Sequence, residues 1–529
     1  MTGGIYPRRV NNRRIEDMKN SDLSQKDTEQ IKSQGLTRRD VERQLGVYRR
    51  GPQSLDLVRA CTVGDGIMPV SPALRKRFIE LFDELSPRRK MVKFVPASGA
   101  ASRMFADWFE ASREGGFSGT EWEKKFYRDL KKMPFAPLLH DSEKARRYIK
   151  EKKTAALLSY ILTGEGLNYG WLPKALIHFH AYREGATATA LEEHLVEAAS
   201  CLRDRAGRTR LHLTVSVEHQ RAIRAELRRI KQALEKEFDV RLKVELSVQS
   251  PSTNIIAVNE DLSPFRDEEG RLVFRPGGHG ALLQNLGALD ANFIFLKNID
   301  NVVPRRLLEK ILPYKKLLGG VAMEMQRRVF AILDELDRGG TTEEKIREYA
   351  AFLCKELNGS LPPDFSDWTP SRRRKKLFSL LNRPLRVCGM VRNEGEPGGG
   401  PFWVLQKDGS HSVQIVESAH VRPGDKGQQS IWSGSQFFNP VDMVCCTRDF
   451  RGNKFDLDKY VDRDAYLISA KMEKGEKLLA QELPGLWNGS MAYWNSVFVE
   501  LPLTVFNPVK TVFDLLRPQH DAHGTGKIK

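Results

Sequence analysis

The chain has 529 residues, of which 40% are hydrophobic and 29% charged, the composition of an ordinary soluble protein that can build a full core. No apolar run reaches the ~18 residues that a membrane span needs, and the amino terminus lacks the apolar centre of a signal peptide, so a cytoplasmic protein with no membrane partner is expected. The formal net charge of +17 favours anionic partners such as phosphates, nucleotides or nucleic acid.

The amino-terminal part is predicted to be mainly helical. Residues 1–35 are polar and basic, which indicates a mobile arm leading into a helix from about Ser24. Residues 36–90 carry apolar side chains at helical spacing and are predicted to form a helical segment. A strand from Met91 to Pro96 then runs into the small-residue sequence ASGAASRMF, which predicts a strand, a loop and a helix.

From about residue 105 to residue 303 the sequence alternates between the periodicity of a helix and that of a strand. A helical, charged insertion is predicted for 105–165, and PKALIHFH at 173–180 is predicted to return to a strand that begins at Lys174. Further strands are predicted at 211–217, 242–248 and 293–296, with a helix at 219–237. This alternation predicts an α/β protein whose core, residues 91–303, is a doubly wound and mostly parallel sheet.

The carboxyl-terminal part is predicted to be first helical and then rich in strands. Residues 304–385 are predicted to form a helical insertion or cap, and residues 386–529 a strand-rich part with glycine- and proline-bearing turns. The basic run SRRRKK at 371–376 allows nucleic-acid binding, but no aromatic residues are interleaved with it, so a solvated helix face is the preferred interpretation. The pair His178 and His180 and the turn Gly398–Gly400 are interpreted as structural.

The stretch from Phe274 to Val303 is the most informative part of the sequence. The glycines of PGGHG, at 277, 278 and 280, allow a close approach of the backbone to a ligand and flank His279. About twenty residues later a buried strand ends at Asp300, and an aspartate at a strand end can hold a hard cation such as magnesium. Ligands of open α/β sheets bind at this edge. Asp300 could instead cap its turn, and His279 could bond only to backbone.

A second candidate site segment is the loop that follows Pro96. Ser98, Gly99 and Ala100 leave room for a phosphate, and Arg103 could neutralise one of its oxygens. Tight packing is the competing interpretation, because neither the P-loop pattern nor the three-glycine dinucleotide motif is present. Lys174 and Lys510 could reach the same phosphates or be ordinary solvated lysines. Gln249 could pair with a base edge or simply cap a turn.

These segments occur in an order that resembles a bacterial family described as domain of unknown function 4301, over residues from about 21 to the end. More distantly the sequence resembles the UDP-sugar pyrophosphorylases, uridylyltransferases of the nucleotide-diphospho-sugar transferase fold. Five motifs carry the resemblance in order: ASGAASRM, PKAL, PGGHG, NIDN and FNPVKTVFDLL. VQIVESAHV with Glu417 and FFNPVD with Asn439 also resemble stretches between the last two motifs.

The resemblance implies a magnesium-dependent enzyme that joins a nucleoside triphosphate, UTP first of all, to a sugar 1-phosphate with release of pyrophosphate. It implies that Arg103, Lys174 and Lys510 act on the phosphates, that Asp300 binds Mg²⁺ and that Glu417 and Asn439 bind substrate. It also implies that the nucleotide contacts a set of eight residues: Ser98, Gly99, Ala100, Gln249, Gly277, Gly278, His279 and Gly280. The strand-rich part from 386 would complete this active site. Ser98 and Ala101 stand where the relatives have glycines, and Ala281 follows the GHG turn where the UDP-glucose enzymes tend to have an acid.

Two other functions stay open on the sequence alone. One is a non-catalytic protein of the same fold that binds or senses a nucleotide sugar. The other is a basic RNA-binding or partner-binding protein whose helical segments do the work, which would bind in a strongly salt-dependent way.

Overall fold

The computed structural model describes residues 23–396, 398–473 and 475–524. Most of the strands belong to one large sheet, and the others form short ribbons around it. In chain order the strands are β1 Leu57–Ala60, β2 Thr62–Val63, β3 Gly66–Met68, β4 Met91–Pro96, β5 His178–Ala181, β6 Thr187–Thr189, β7 Arg208–Thr214, β8 Arg241–Ser247, β9 Ile255–Ile256, β10 Phe274–Arg275, β11 Phe293–Lys297, β12 Leu385–Arg392, β13 Gly400–Leu405, β14 His411–Val416, β15 Phe437–Phe438, β16 Asp442–Cys446, β17 Leu467–Glu473, β18 Glu476–Glu482 and β19 Asn495–Glu500.

The helices fall into an amino-terminal pair, a cluster between β4 and β5, single helices between strands and a long carboxyl-side group. They are α1 Gln25–Ser33, α2 Arg38–Arg50, α3 Pro72–Leu85, α4 Ala106–Arg113, α5 Thr120–Leu130, α6 Ala136–Asp141, α7 Glu143–Lys150, α8 Thr154–Leu162, α9 Ala190–Cys201, α10 Gln220–Phe238, α11 Leu283–Ala288, α12 Leu308–Arg338, α13 Glu343–Glu356, α14 Pro370–Leu381 and α15 Lys426–Ser433.

The main sheet has the strand order β2-β3-β19-β12-β16-β11-β4-β7-β8, with β15 paired to β12. Every neighbouring pair along this order is parallel except the two pairs made by β16, which runs antiparallel to both β11 and β12. The predicted α/β class and mostly parallel sheet are therefore confirmed. Because the other strands in this order all run in the same direction, their carboxyl ends lie at one edge of the sheet.

The predicted central strands form where they were expected. The run Met91–Pro96 is β4, and β11 pairs with it in parallel register, Ile294 opposite Val92. Both strands are buried almost throughout, as expected of a parallel sheet covered on both faces. The helix predicted from about Ser24 is α1, which begins with Ser24 as its amino-terminal cap. The proposed mobile arm lies largely outside the described residues.

The long helix α12 packs against one face of the sheet. Gly319 and Gly320 are buried at its middle, where a Cβ on Gly319 would lie 2.5 Å from the ring of Phe82 and one on Gly320 would overlap the carbonyl group of Phe78. The two glycines thus let α12 pack closely against α3. The segment predicted as an insertion or cap therefore contributes its first helix to the main core.

Two further predictions about local structure were wrong. The segment 36–90 is not helical throughout, because β1, β2 and β3 lie between α2 and α3. The stretch 173–180 is not one strand: Lys174–Leu176 form a 3₁₀ turn, and His178–Ala181 form β5, which pairs only with β6, outside the main sheet. Short apolar runs and turns cannot be separated by periodicity alone.

A group of charged side chains is buried on the sheet beneath α9 and α12. Glu197 lies 2.8 Å from the Lys93 Nζ, 2.6 Å from the Lys297 Nζ and 3.6 Å from the Lys315 Nζ, and Lys315 also pairs with Asp442. All five side chains are at most 7% exposed. Lys93 and Lys297 are on β4 and β11, so this network joins the two central strands to both helices.

Candidate active site

A cleft of about 1090 Å³ opens at the edge of the sheet where β4, β7, β8 and β11 end. Clefts at this edge are the usual ligand sites of open α/β sheets. The cleft is lined by ten of the residues singled out in the sequence: Ser98, Gly99, Ala100, Arg103, Lys174, Gln249, Gly278, His279, Asp300 and Lys510. These residues come from six separate segments, and the fold brings them together.

Three charged side chains meet at the centre of the cleft. The carboxylate oxygen Oδ2 of Asp300 accepts a hydrogen bond from Lys174 Nζ at 3.0 Å and another from Lys510 Nζ at 2.9 Å. Lys174 Nζ also donates to the carbonyl oxygen of Val509 at 2.7 Å. The side chain of Lys174 is 16% exposed and that of Lys510 is 50% exposed, so Lys174 is fixed in place and Lys510 can move toward a ligand.

Backbone contacts explain how residues so far apart in sequence converge. The helices α4 to α8 form their own apolar cluster and return the chain to the loop after β4, where the Ala101 N–H donates to the Leu172 carbonyl oxygen at 3.0 Å. On the other side, the Val509 N–H donates to the Asp300 carbonyl oxygen at 3.0 Å, and the Asn507 N–H donates to Asn301 Oδ1 at 2.9 Å. Lys174 and Lys510 are thus each tied to a neighbouring segment of the cleft.

The pKa values of Asp300 and Lys174 depend on the charged side chains around them. Burial alone would raise the pKa of the Asp300 carboxyl, but Lys174 and Lys510 outweigh it and hold the pKa below its ordinary value. Burial lowers the pKa of Lys174, with smaller lowering contributions from Lys510 and Arg103, against the attraction of Asp300. The cleft is lined by three cationic side chains, Arg103, Lys174 and Lys510, and by two carboxylates, Asp300 and Glu218, so it has a surplus of positive charge, which suits a polyphosphate.

The loop after β4 presents backbone and a cation to the cleft. Gly99 and Ala100 are exposed, and a Cβ at Gly99 would meet no other atom of the described residues within 4 Å. Arg103 lies one turn further on, in the 3₁₀ helix Ala101–Phe105, and forms no ion pair with any described residue. This loop therefore has room for a ligand and a free guanidinium beside it.

The PGGHG turn contributes an aromatic wall. Gly278 has φ +71°, a conformation that favours glycine, and the His279 ring stacks on Trp487 with centroids 4.1 Å apart. The Leu486 N–H donates to His279 Nδ1 at 2.9 Å, so the proton of the neutral ring is on Nε2. Trp487 lines the cleft but was missed in the sequence, because nothing in LPGLWNGS distinguishes it from a packing residue.

Four predicted residues lie outside the lining of the cleft. Gly277 and Gly280 are buried, with their α-carbons packed against the backbone of Thr253 and Pro484. Their role is therefore to let PGGHG pack closely against neighbouring segments.

The two residues predicted to bind substrate also have structural partners. Glu417 accepts a hydrogen bond from the Asn488 side chain. Asn439 is 5% exposed, and its Oδ1 accepts from the Val441 N–H at 3.0 Å, so it caps a turn. Neither residue lines the cleft, so their positions do not support the prediction that they bind substrate there.

The basic run 371–376 is part of α14. Arg373 forms an ion pair with Glu343, and the Arg372 guanidinium stacks on Trp368 at 3.7 Å from the ring centroid. Part of this charge is therefore used within the protein, which favours the interpretation as a helix face. No helix among the described residues is long and apolar enough to cross a membrane.

Comparison with known proteins agrees with the order of motifs. The family model described as domain of unknown function 4301 matches residues 24–521. The chain belongs to this family. No protein with a curated description matches it.

Among solved structures, the chain is similar to the UDP-N-acetylglucosamine pyrophosphorylase of Trypanosoma brucei, with 12% identity and a TM-score of 0.47, covering 94% of this chain and 80% of that one. It is also similar to the UDP-glucose pyrophosphorylase of Leishmania major, with 14% identity and a TM-score of 0.43, covering 94% of this chain and 78% of that one.

One prediction concerns the glycines of this family member. We expect Gly280→Ala to lower the free energy of unfolding by roughly 1–3 kcal/mol, because its Cβ would overlap the Pro484 carbonyl group. Gly99→Ala is the matched control and should change stability by less than about 0.5 kcal/mol, since the space around Gly99 is open. Chemical denaturation of the two variants and the native protein tests this. Equal stabilities would mean that the PGGHG turn is not packed as described.

A second prediction concerns acid pH. Burial lowers the pKa of His279, against the attraction of Glu417 and Glu482, so the ring stays neutral in the folded protein. In the unfolded chain it takes up a proton below about pH 6.5. The contribution of His279 to stability is therefore complete above that pH and decreases as the pH falls toward the folded-state pKa.

The native protein should accordingly lose more stability than His279→Gln when the pH is lowered from about 7.5 to 5, by up to ~1.4 kcal/mol per pH unit in this interval. Urea denaturation at both pH values measures the difference. Identical losses in the two proteins would show that the ring is not held neutral.

Proposed function

We propose that the protein is a nucleotidyltransferase that joins a nucleoside triphosphate, with UTP as the first candidate, to a sugar 1-phosphate and releases pyrophosphate. One observation carries the proposal: Lys174 and Lys510, from two distant segments, both donate to Asp300 Oδ2, at 3.0 and 2.9 Å, in a cleft that also contains a small-residue loop and Arg103. The combination suits a polyphosphate and the charge that develops as a phosphoryl group is transferred.

The cationic residues take different roles. Arg103 and the exposed part of Lys510 are placed to contact phosphate oxygens, since neither is enclosed by protein. Lys174 is nearly buried and makes two hydrogen bonds, so we assign it the role of positioning Asp300 and the 509–510 backbone. Its ammonium group has one further N–H, which can donate to a phosphate oxygen. The backbone of Ser98, Gly99 and Ala100 would line the phosphates from the other side.

The reaction is a direct displacement. An oxygen of the sugar 1-phosphate attacks the α-phosphorus of the triphosphate, and the bond from that phosphorus to the bridging oxygen of the β-phosphate breaks. The electron pair leaves with pyrophosphate, so no oxidant or covalent enzyme intermediate is needed. The protein contributes alignment of the two anions and neutralisation of the charge between them.

The nucleoside side is assigned to the other half of the cleft. Gly278 allows the backbone to approach, the stacked pair His279 and Trp487 offers an aromatic wall, and Gln249 presents an amide that forms no hydrogen bond with the described residues. An amide can pair with the polar edge of a base. Glu417 and Asn439 are not retained in the substrate site, since other contacts hold both.

Asp300 is the residue that would hold a magnesium ion. Its Oδ2 accepts from both lysines, while Oδ1 receives no hydrogen bond from the described residues. No group of three or more metal-ligating His, Cys, Asp or Glu side chains occurs in the described part of the chain. This donor set fits magnesium, which is often bound by one or two carboxylates and by substrate phosphates. When bound, the ion would neutralise phosphate charge.

The proposal is tested by pyrophosphate release from the purified protein with magnesium, a panel of nucleoside triphosphates and a panel of sugar 1-phosphates. We expect release that requires both substrates. No release with any pair, together with saturable binding of a nucleotide sugar, would support the sensing function instead. Binding of RNA that weakens steeply with salt and is unchanged by nucleotide would support the third function.

A further inference from the structure

A second concave site lies at the opposite edge of the main sheet. It has a volume of about 320 Å³ and is formed by α14, the turn between β13 and β14, and the residues that lead into β19. The strands β12 and β19 begin at this edge, whereas the active-site cleft is placed where the parallel strands β4, β7, β8 and β11 end. The two sites are therefore separate.

The second site contains a guanidinium group that forms no ion pair with a described residue. Arg383 lines it, and burial lowers the pKa of this side chain. Its Nε donates to the Ser379 carbonyl oxygen at 3.3 Å, but among the described residues Nη1 and Nη2 have no hydrogen-bond partner and no carboxylate lies within 4.0 Å. The side chain is only partly buried, so these donors are accessible from the cavity. An anion in the site would provide the missing partner.

The one carboxylate that lines the site, Asp408, attracts both Arg383 and Lys376 but forms an ion pair with neither. Lys376 also lines it and forms no ion pair with a described residue, although Asp408 is close enough to be influenced by it. The Asp408 carboxylate accepts from the Ser410 hydroxyl at 2.5 Å and from the Ser410 N–H at 3.1 Å. Lys407 is paired with Asp464. Two cations therefore line the cavity without an ion pair, against one carboxylate whose Oδ1 is bonded to Ser410, which leaves surplus positive charge.

Neutral groups in the wall can bind the remainder of a small ligand. The hydroxyl of Tyr493 and the ring of His411 line the cavity, and neither side chain makes a hydrogen bond with the described residues. The apolar part of the wall includes Leu353 and Leu380. A volume of this size is at the lower end of those that bind small molecules. A bidentate Arg with Lys beside it is a typical arrangement for a phosphate.

We propose that this cavity, the Arg383 site, binds a small phosphate-bearing molecule, with Arg383 and Lys376 on the phosphate and Tyr493 and His411 on the rest. It is distinct from the active-site cleft and shares no residue with it. The proposal does not depend on the activity proposed above.

The test uses inorganic phosphate as the probe and separates the two clefts by mutation. In a Lys174→Met, Lys510→Met double variant the active-site cleft lacks two of its cations, so calorimetric titration reports mainly on the Arg383 site. We expect saturable binding that weakens at least about tenfold when Arg383→Met is added. Arg372→Met is the matched control on α14, outside the cavity, and should leave the affinity unchanged.

A second measurement keeps the test valid if the double variant is poorly folded. In the otherwise native protein, phosphate should raise the melting temperature through both clefts, and Arg383→Met and Lys376→Gln should each reduce that rise while leaving the melting temperature without phosphate nearly unchanged. Phosphate binding that is unaffected by Arg383→Met, or absent once Lys174 and Lys510 are replaced, would overturn the proposal.

Discussion

Asp300→Asn is expected to reduce pyrophosphate release at least about 100-fold in kcat/KM, a loss of ~2.7 kcal/mol of transition-state stabilisation. Asparagine keeps the size of the side chain but removes the negative charge that holds Lys174 and Lys510 in place and would hold magnesium. The measurement is the rate of pyrophosphate release with the best substrate pair, over a range of magnesium concentrations.

Glu218→Gln is the matched control for this variant. Glu218 lines the same cleft but is exposed and bonds to neither lysine, so its replacement should leave the rate within about threefold. Circular dichroism and nucleotide binding confirm that the Asp300 variant is folded. If Asp300→Asn were as active as the native protein, Asp300 would have no role in the reaction, and the assignment of the metal would fail.

Glu197→Gln should have the largest effect on stability, a loss of about 3–5 kcal/mol in the free energy of unfolding. Glu197 lies between three buried lysines, and burial alone would raise the pKa of its carboxyl, but the lysines hold that pKa well below its ordinary value. Removing the charge leaves three buried ammonium groups with one remaining carboxylate, Asp442, which pairs with Lys315.

Chemical denaturation measures this loss, with Glu84→Gln as the control. Glu84 is exposed and forms no ion pair with a described residue, so its replacement should change stability by less than about 0.5 kcal/mol. A loss below ~1 kcal/mol for Glu197→Gln would show that the lysines are neutral or solvated in the folded protein.

The network around Glu197 also shows what the sequence can and cannot reveal about the fold. The apolar runs of β4 and β11 were sufficient to predict two strands, and the structure places them side by side. The lysines within them, Lys93 and Lys297, gave no sign that they are buried, because their common counter-ion Glu197 is on α9, about 100 residues away in the chain. Burial of a charge depends on a partner brought by tertiary structure, which local pattern does not contain.

The candidate site was predictable to the extent that it follows the ends of strands. Asp300 lies just beyond β11 and the loop 97–100 just beyond β4, so their meeting follows from a parallel sheet. The motif order predicted that Lys174 and Lys510 join them, and the structure brings all three together. Trp487 could not be predicted, since it reaches the cleft from a loop whose position depends on contacts with the PGGHG turn.

Transfer of a nucleotidyl group in this cleft can be measured by following the phosphates of UTP separately. The native protein is incubated with magnesium, a sugar 1-phosphate and UTP labelled either at the α-phosphorus or at the γ-phosphorus. We expect the α label to appear in a nucleotide sugar and the γ label in pyrophosphate, in equal amounts. Both labels remaining in UTP with every sugar 1-phosphate tested, or the γ label appearing as orthophosphate, would contradict it.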